Sequence, residues 1–255
     1  MDMDNTRDAQ SESSWDPADL TGLDASAIAL NRTVDALTAD DLAEPSLLPG
    51  WTRAHVVAHL ALNGRALARV LDSVGRGQPV AMYESDQQRD SEINEYAGAG
   101  PDELREGLLA ATTAFSDAVA AVETERWDGS FNRLPGGPAW PAATIVPTRR
   151  REVEIHHVDL GAAPYDRHEW PDDFVVELLD VVSVDQAAGG PFRMRATDLG
   201  RDWAVGGQGG PTVAGRGADL GWWLTGRSGG DGLTCDSGDL PAIGPWRRAS
   251  GSALS

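Results

Sequence analysis

The sequence predicts a two-domain α+β fold, in which an N-terminal four-helix bundle precedes a small α+β domain. Helical segments of bundle length recur through the first part of the chain, and short apolar pieces separated by glycines follow them. A hydrophobic content of 41% with 24% charged residues is ordinary for a globular protein. We place the bundle at residues 16–163 and the small domain at 164–247, and we expect disordered tails at 1–15 and 248–255.

The first two bundle helices are defined by their start signals. Asp16 and Pro17 are typical of an N-cap followed by proline at the first helical position, and an apolar pattern continues to about Leu37. The second helix is predicted to start at Thr52 and to end at Gly75.

The other two bundle helices come after a long connection. Pro101, followed by acidic residues, indicates the start of the third helix, and the fourth contains "RRREVEIHHVDLG" and ends at Gly161. The connection from Gly75 to Gly100 is too long for a simple turn. We therefore expect it to be an ordered loop that helps to shape a site.

The amino-acid composition changes after Gly161, where a polar connector containing proline begins. A helical segment, "FVVELLDVVSVDQAA", comes next, and the short apolar pieces "DWAV" and "PTVAG" follow among many glycines. A second helical segment, "ADLGWWLTGR", completes the pattern of a small α+β domain.

Charge and composition exclude several classes of function. The formal net charge is -19 and every basic residue is arginine, a balance that repels nucleic acid and anionic membranes. No apolar run approaches the ~18 residues of a membrane span. The acidic first residues do not resemble a signal peptide. The single cysteine, Cys235, cannot form an intramolecular disulfide. From these two observations we expect a cytoplasmic protein.

The segment "RRREVEIHHVDLG" contains two different Glu/His pairs. Glu152 and His156 are four residues apart, which places them about 40° from each other on one helix face. That face is bordered by apolar side chains, so we expect this pair to point inward. Glu154 and His157 fall on the remaining side, and we expect them to face water.

The second helix offers a further inward histidine. His59 lies about 80° from the centre of its apolar stripe and Asn63 about 40°, so both border the buried face. Together, His59, Glu152 and His156 form a set of ligands suited to Zn²⁺ with a fourth position open. The alternative is a structural Glu–His hydrogen bond with a hydrogen-bonded core histidine. The angular positions of the residues on their helices do not distinguish a metal site from this structural arrangement.

Several motifs resemble those of the mycothiol-dependent maleylpyruvate isomerase family, a branch of the DinB-like metal-binding bundles. They are "LLPGWTRAHVVAHLALN", the segment "MYES" with Arg89 and "EI" after it, "RREVEIHHVDLG" and "LTGRSGGDGL", in the right order from about residue 17 to 246. The resemblance implies that His59, Glu152 and His156 hold a divalent metal, normally zinc. It also implies a C-terminal domain like sterol carrier proteins and a functional arginine, Arg227.

The resemblance further implies cis–trans isomerisation of maleylpyruvate to fumarylpyruvate, with mycothiol as cofactor. A zinc-activated thiolate that adds reversibly to the double bond leaves a single bond that can rotate. We expect Tyr83, Arg89 and Arg227 to be catalytic, and Asn63 and Arg53 to contact the thiol cofactor. Cys235 lies in a loop rich in glycine and aspartate and is a poor candidate for the nucleophile. His55 and His157 are not ligands in the family pattern.

Two other functions are compatible with the same residues. The first is a zinc-dependent mycothiol S-transferase that acts on another electrophile, for which only the pocket for the small acid would differ. The second is a non-enzymatic ligand-binding protein whose Glu/His pair is structural. For the isomerase we expect a small anionic substrate and a low-molecular-weight thiol as partners, and a monomer or weak homo-oligomer.

Overall fold

The computed structural model describes residues 16–78, 80–186, 189–244 and 246, and it has the predicted α+β fold class. The expected tails at 1–15 and 248–255 lie outside the described residues. Within the described part of the chain, no helix is both long enough and apolar enough to cross a bilayer.

Four long helices form the N-terminal part of the molecule. They are α1 (Thr21–Ala36), α3 (Arg53–Gly75), α5 (Pro101–Ala121) and α6 (Ile145–Asp159), and a short helix, α2 (Ala39–Ala43), joins the first two. Helix α3 packs along α5, and α1 packs against α6. Thr52 is the N-cap of α3 and Pro101 is the first residue of α5, so both predicted start signals are confirmed.

The first helix begins later than predicted. Asp16 and Pro17 belong to a turn, in which the Asp16 side chain accepts a hydrogen bond from the N–H of Ala18 at 2.9 Å. The Asp19 side chain accepts from Thr21 in the same way at 2.9 Å. These aspartates offer the backbone local bonds that compete with a helix, and α1 therefore starts at Thr21.

The long connection after α3 contains a helix, α4 (Asp86–Tyr96), where the sequence predicted only a loop. Ser85 caps this helix by accepting a hydrogen bond from the N–H of Gln88 at 3.0 Å. Ile93 is the buried residue of α4, so the sequence has no apolar stripe to reveal it. Helix α4 packs against α3.

The loop before α4 is tied to a hairpin that lies between α5 and α6. This hairpin consists of β1 (Ser130–Asn132) and β2 (Ala139–Pro141) in antiparallel register. The N–H of Met82 donates to the Asn132 carbonyl at 2.8 Å, and that of Tyr83 donates to the Arg133 carbonyl at 3.0 Å. The segment that contains Tyr83 is therefore held by backbone hydrogen bonds.

The C-terminal part combines two helices with one sheet. They are α7 (Asp172–Asp185), α8 (Gly217–Leu224), β3 (Phe192–Ala196), β4 (Arg201–Val205), β5 (Thr212–Gly215) and β6 (Thr234–Cys235). The strand order is β4-β3-β5-β6, with β3 and β5 parallel and the other pairs antiparallel. The predicted pieces "DWAV" and "PTVAG" fall on β4 and β5.

Helix α6 belongs to both halves of the molecule. Val153 packs in the hydrophobic cluster of the bundle, whereas Ile155 and Val158 pack in the cluster formed by α7, α8 and the sheet. The helix ends before Gly161, which has a φ of 61° that favours glycine. Helix α6 is therefore enclosed by packing on more than one side.

This enclosure overturns one prediction about α6. Glu154 and His157 were expected to face water, but their exposed fractions are 1% and 0%. Glu154 accepts hydrogen bonds from the hydroxyls of Ser26 and Tyr165. The helical wheel gave the right angular separation of the two Glu/His pairs, but it could not show that α1 and the segment after α6 cover the second pair.

Candidate metal centre

Three side chains from two helices converge on one point. His59 comes from α3, and Glu152 and His156 come from α6. Glu152 Oε2 lies 3.0 Å from Nε2 of His59 and 3.3 Å from Nε2 of His156. The three candidate ligand atoms all lie within 4.8 Å of one another.

The electrostatics of this cluster suit a cation. Burial lowers the pKa of His59 to about 3, so its imidazole is neutral and retains a lone pair. Burial opposes ionisation of Glu152, but hydrogen bonds with His156 and His59 hold the pKa of this carboxyl well below its ordinary value. Imidazole nitrogens and a carboxylate are ligands that Zn²⁺ accepts, and the residues present therefore fit a divalent metal.

Trp51 and Arg89 surround the His59 ring. Trp51 meets it edge to face, with ring centroids 5.7 Å apart. Arg89 Nη2 lies 3.2 Å from His59 Nδ1, and Arg89 Nη1 pairs with Asp90 at 2.7 Å. A cation therefore stands directly beside the candidate metal centre.

Tyr83 lies beside the same guanidinium. The Cζ atoms of Arg89 and Arg133 lie 5.8 and 5.5 Å from the centroid of its ring. Burial raises the pKa of Tyr83, so the phenol stays protonated and can donate a hydrogen bond. Tyr83 and Arg89, two of the predicted catalytic residues, thus lie beside each other, and Arg89 contacts His59.

Asn63 is engaged with a buried arginine that the sequence did not single out. Arg149 Nη1 donates to Asn63 Oδ1 at 2.8 Å and to the Leu60 carbonyl at 2.9 Å. Burial lowers the pKa of Arg149 to about 10, which still leaves it charged at neutral pH. A Cβ at Gly64 would lie 3.1 Å from Arg149 Nη2, so the glycine makes room for this side chain. The amide oxygen of Asn63 is therefore committed to Arg149.

Arg53, which we expect to contact the thiol cofactor, binds backbone carbonyls near the end of α6. Its Nε donates to the Leu160 carbonyl and its Nη2 to the Gly161 carbonyl, both at 3.0 Å, and its Nη1 donates to the Asp41 carbonyl at 3.2 Å. The last carbonyls of a helix have no partner within the helix. Arg53 supplies that partner at the end of α6, and all three of its guanidinium nitrogens donate hydrogen bonds.

Arg227, which we expect to be catalytic, pairs with an aspartate at the end of α6. Its Nε and Nη2 bind the Asp159 carboxylate at 2.9 and 2.8 Å, so the guanidinium already has an anionic partner. The remaining nitrogen, Nη1, donates to the Thr225 carbonyl at 3.3 Å. The side chain is 10% exposed, and its ion pair with Asp159 connects Arg227 to the candidate centre.

Asp159 is the residue that the sequence analysis missed. Its Oδ2 lies 2.8 Å from Nδ1 of His156, although the ring N–H is not aimed along a linear hydrogen bond. Burial would lower the pKa of His156, but the contacts with Asp159 and Glu152 raise it. The signal was present, because residues three apart on a helix are neighbours.

The remaining predicted positions lie outside the ligand set. His55 Nδ1 is 2.7 Å from the Thr52 hydroxyl and takes part in the capping of α3. His157 Nε2 lies 2.7 Å from the Thr33 hydroxyl on α1. Cys235 is a free cysteine on β6, with its Sγ 3.2 Å from the Ser237 hydroxyl.

Comparisons with known proteins identify the group to which this architecture belongs. The family described as the mycothiol maleylpyruvate isomerase N-terminal domain matches residues 23–161. Among solved structures, the mycothiol-dependent maleylpyruvate isomerase superposes with a TM-score of 0.80 at 27% identity, covering 89% of this chain and 95% of that chain. A histidine-to-alanine mutant of that enzyme matches with the same coverage and TM-score at 26% identity.

Two uncharacterised proteins of Mycobacterium tuberculosis, from strains CDC 1551 / Oshkosh and ATCC 25618 / H37Rv, are each 29% identical over 137 residues. That match covers 52% of this chain, and the chain spans about half (51%) of the length of each of these relatives. Because the family match extends over more than half of the sequence, the chain belongs to the mycothiol maleylpyruvate isomerase family.

Proposed function

We propose that this protein is a mycothiol-dependent cis–trans isomerase that converts maleylpyruvate to fumarylpyruvate, with zinc held by His59, Glu152 and His156. One observation carries the proposal. His59 lies 93 positions before Glu152, and its side chain converges with those of Glu152 and His156 within 4.8 Å in a chain that superposes along most of its length on an enzyme of that name.

The residues of the centre have distinct tasks. When bound, zinc supplies Lewis acidity that favours ionisation of a coordinated thiol at neutral pH. Neutral His59 and ionised Glu152 are the protonation states that a metal ligand needs, so the cluster is ready for a cation. Trp51 packs against the His59 ring, with ring centroids 5.7 Å apart.

The anionic substrate needs local cations, because the overall charge of -19 repels it. Arg89 stands beside His59, and Arg133 stands beside Tyr83. A guanidinium can bind a carboxylate through two parallel hydrogen bonds, and a protonated phenol can add a third donor. We therefore assign Arg89 and Tyr83 to the binding of the substrate carboxylates.

Mycothiol supplies the nucleophilic sulfur for reversible addition to the double bond. The chain's own thiol is poorly suited to that task. Cys235 lies on β6 in the C-terminal sheet, whereas the three candidate ligands lie on α3 and α6. The protein then contributes the metal ligands, the cations and the alignment of the two reactants.

A mycothiol S-transferase is the second candidate, and one observation favours it. In the isomerase we expect Arg227 to serve the pocket for the small acid, but its guanidinium is bound to Asp159. Arg227 is consequently not free to bind a carboxylate of the substrate, which is the role that we expect for it in the isomerase. The same metal centre could then serve another electrophile.

The test is a direct assay with purified zinc-loaded protein. Maleylpyruvate and mycothiol are supplied together and singly, and the isomers are separated chromatographically. We expect fumarylpyruvate only when protein, zinc and mycothiol are all present. A parallel reaction with a bimane acceptor detects transferase activity. Formation of the bimane conjugate without isomerisation would replace the first candidate by the second.

A matched pair of variants on α3 completes the test. His59→Ala removes a proposed ligand and should abolish both zinc binding and turnover. His55→Ala removes a histidine that caps the same helix, and it should retain zinc. Equal zinc content in the two variants would contradict the assignment of His59.

A further inference from the structure

Three side chains form a continuous line from the C-terminal part of the molecule to the metal centre. Arg227 follows α8, and its Nε and Nη2 bind the Asp159 carboxylate at 2.9 and 2.8 Å. Asp159 Oδ2 in turn lies 2.8 Å from Nδ1 of His156, whose Nε2 faces Glu152 at 3.3 Å. The side chains of Asp159 and His156 are 1% and 7% exposed.

The position of Asp159 is unfavourable for an ordinary helical residue. It is the last residue of α6, where the helix dipole disfavours a negative charge. Burial of a carboxylate adds a desolvation cost, which Arg227 offsets by pairing with it. The carboxylate does not serve to end the helix, because Arg53 already binds the carbonyls of Leu160 and Gly161.

A contact with His156 explains this placement. A metal-binding imidazole uses one nitrogen for the cation, and its other nitrogen is oriented by a carboxylate or carbonyl. In the cluster, His156 Nε2 is the atom that faces Glu152, and Nδ1 is the atom that faces Asp159. A carboxylate at Nδ1 fixes a proton there and leaves the lone pair of Nε2 for the metal.

We infer that Asp159 is a positioning residue for the metal ligand His156, and that Arg227 acts by holding the Asp159 carboxylate in place. This inference rests on the proposed zinc site and deepens it. Arg227 then influences turnover without touching substrate or thiol. It also explains how residues after α8 contribute to a centre whose ligands lie on α3 and α6.

The chain contains a matched control with the same three residue types. Asp219 accepts from Arg167 Nε at 2.6 Å and lies 3.0 Å from His168 Nε2. Its side chain is 7% exposed, so it too is a buried carboxylate between an arginine and a histidine. Neither His168 nor Asp219 belongs to the three-residue cluster described above. Asp219→Asn therefore reproduces the chemical change of Asp159→Asn away from the proposed zinc site.

The experiment measures zinc affinity by competition with a chromophoric chelator, using the full chain. We expect Asp159→Asn to weaken zinc binding by roughly 10- to 100-fold, the usual effect of losing a residue that orients a ligand. Arg227→Gln should produce a smaller loss. In the Asp159→Asn background, Arg227→Gln should cause no further loss, because the arginine acts through the carboxylate. Asp219→Asn should bind zinc as tightly as the unaltered protein.

A second readout separates positioning from folding. The absorption spectrum of the Co²⁺-loaded protein reports ligand geometry, and we expect it to change in Asp159→Asn but not in Asp219→Asn. Thermal unfolding in excess chelator measures the stability of each variant without metal. If Asp159→Asn does not fold, Arg227→Gln decides the question, and unaltered zinc affinity in that variant would overturn the inference.

The outcomes also separate this inference from the proposed function. Unaltered protein that binds no zinc would refute the zinc site, and the positioning role with it. Tight zinc binding by the unaltered protein, with the same affinity and spectrum in Asp159→Asn, would refute the positioning role alone. An equal loss of zinc affinity in Asp219→Asn would indicate a general effect of buried charge and would also overturn the inference.

Discussion

His157 and His156 are adjacent buried histidines. Substitution of His157 should destabilise the fold without changing the zinc content, whereas substitution of His156 should remove the zinc. His157 faces α1, where its Nε2 lies 2.7 Å from the Thr33 hydroxyl. Its ring stacks on Tyr165, with centroids 3.5 Å apart and an angle of 8° between the planes. We expect His157→Ala to weaken the fold but to leave the zinc content unchanged.

The cost of His157→Ala can be worked from these contacts. The lost hydrogen bond to Thr33 contributes about 1 kcal/mol, and the lost stacking on Tyr165 about 0.5–1.5 kcal/mol. Thr33 retains a hydrogen bond to the Ala29 carbonyl at 3.3 Å, so its hydroxyl is not left without a partner. With the space left by the ring, the total is about 3 kcal/mol. At about 2–4 °C per kcal/mol, the melting temperature should fall by roughly 6–12 °C.

The assay compares thermal unfolding and zinc stoichiometry in His157→Ala and His156→Ala. His156→Ala should lose zinc, since it removes a proposed ligand. Zinc loss in His157→Ala with retention in His156→Ala would show that the assigned face of α6 is wrong. An unaltered melting temperature in His157→Ala would refute the packing argument.

Three further substitutions test other parts of the account. Arg53→Met should lower the free energy of unfolding by about 2 kcal/mol through loss of charged hydrogen bonds to carbonyls, and the zinc content should not change. Loss of thiol binding at unaltered stability would instead support Arg53 as a thiol contact. Cys235→Ser should keep full turnover with added mycothiol, and a hundredfold loss in the folded variant would make Cys235 the nucleophile. Arg89→Ala should keep zinc but raise the KM for maleylpyruvate by roughly 10-fold or more, since a charged hydrogen bond contributes about 1.5–3 kcal/mol. An unchanged KM would show that Arg89 does not bind the substrate.

Local signals in the sequence were sufficient for the starts of α3 and α5 and for the angular arrangement of Glu152 and His156. Thr52 and Pro101 have positional preferences that depend on the backbone alone. Glu152 and His156 share a face because the helix rotates by about 100° per residue, whatever surrounds it. These features depend on short-range geometry, and the structure brings the pair together with a histidine from another helix.

Features that depend on tertiary packing could not be predicted in the same way. The wheel places Glu154 and His157 on the polar side of α6, and only the packing of α1 and Tyr165 shows that they are buried. Helix α4 has a single buried residue, so its sequence lacks the periodicity of an amphipathic helix. The pairing of Arg227 with Asp159 joins residues 68 positions apart and has no local signal.

The measurement that tests the account most directly is the isomerisation of maleylpyruvate by protein loaded with zinc, with mycothiol present. We expect formation of fumarylpyruvate that stops when zinc is removed by a chelator, resumes when zinc is restored, and is absent in His59→Ala. Isomerisation that continues at the same rate in metal-free protein, or in His59→Ala, would contradict the assignment of this centre as the catalytic site.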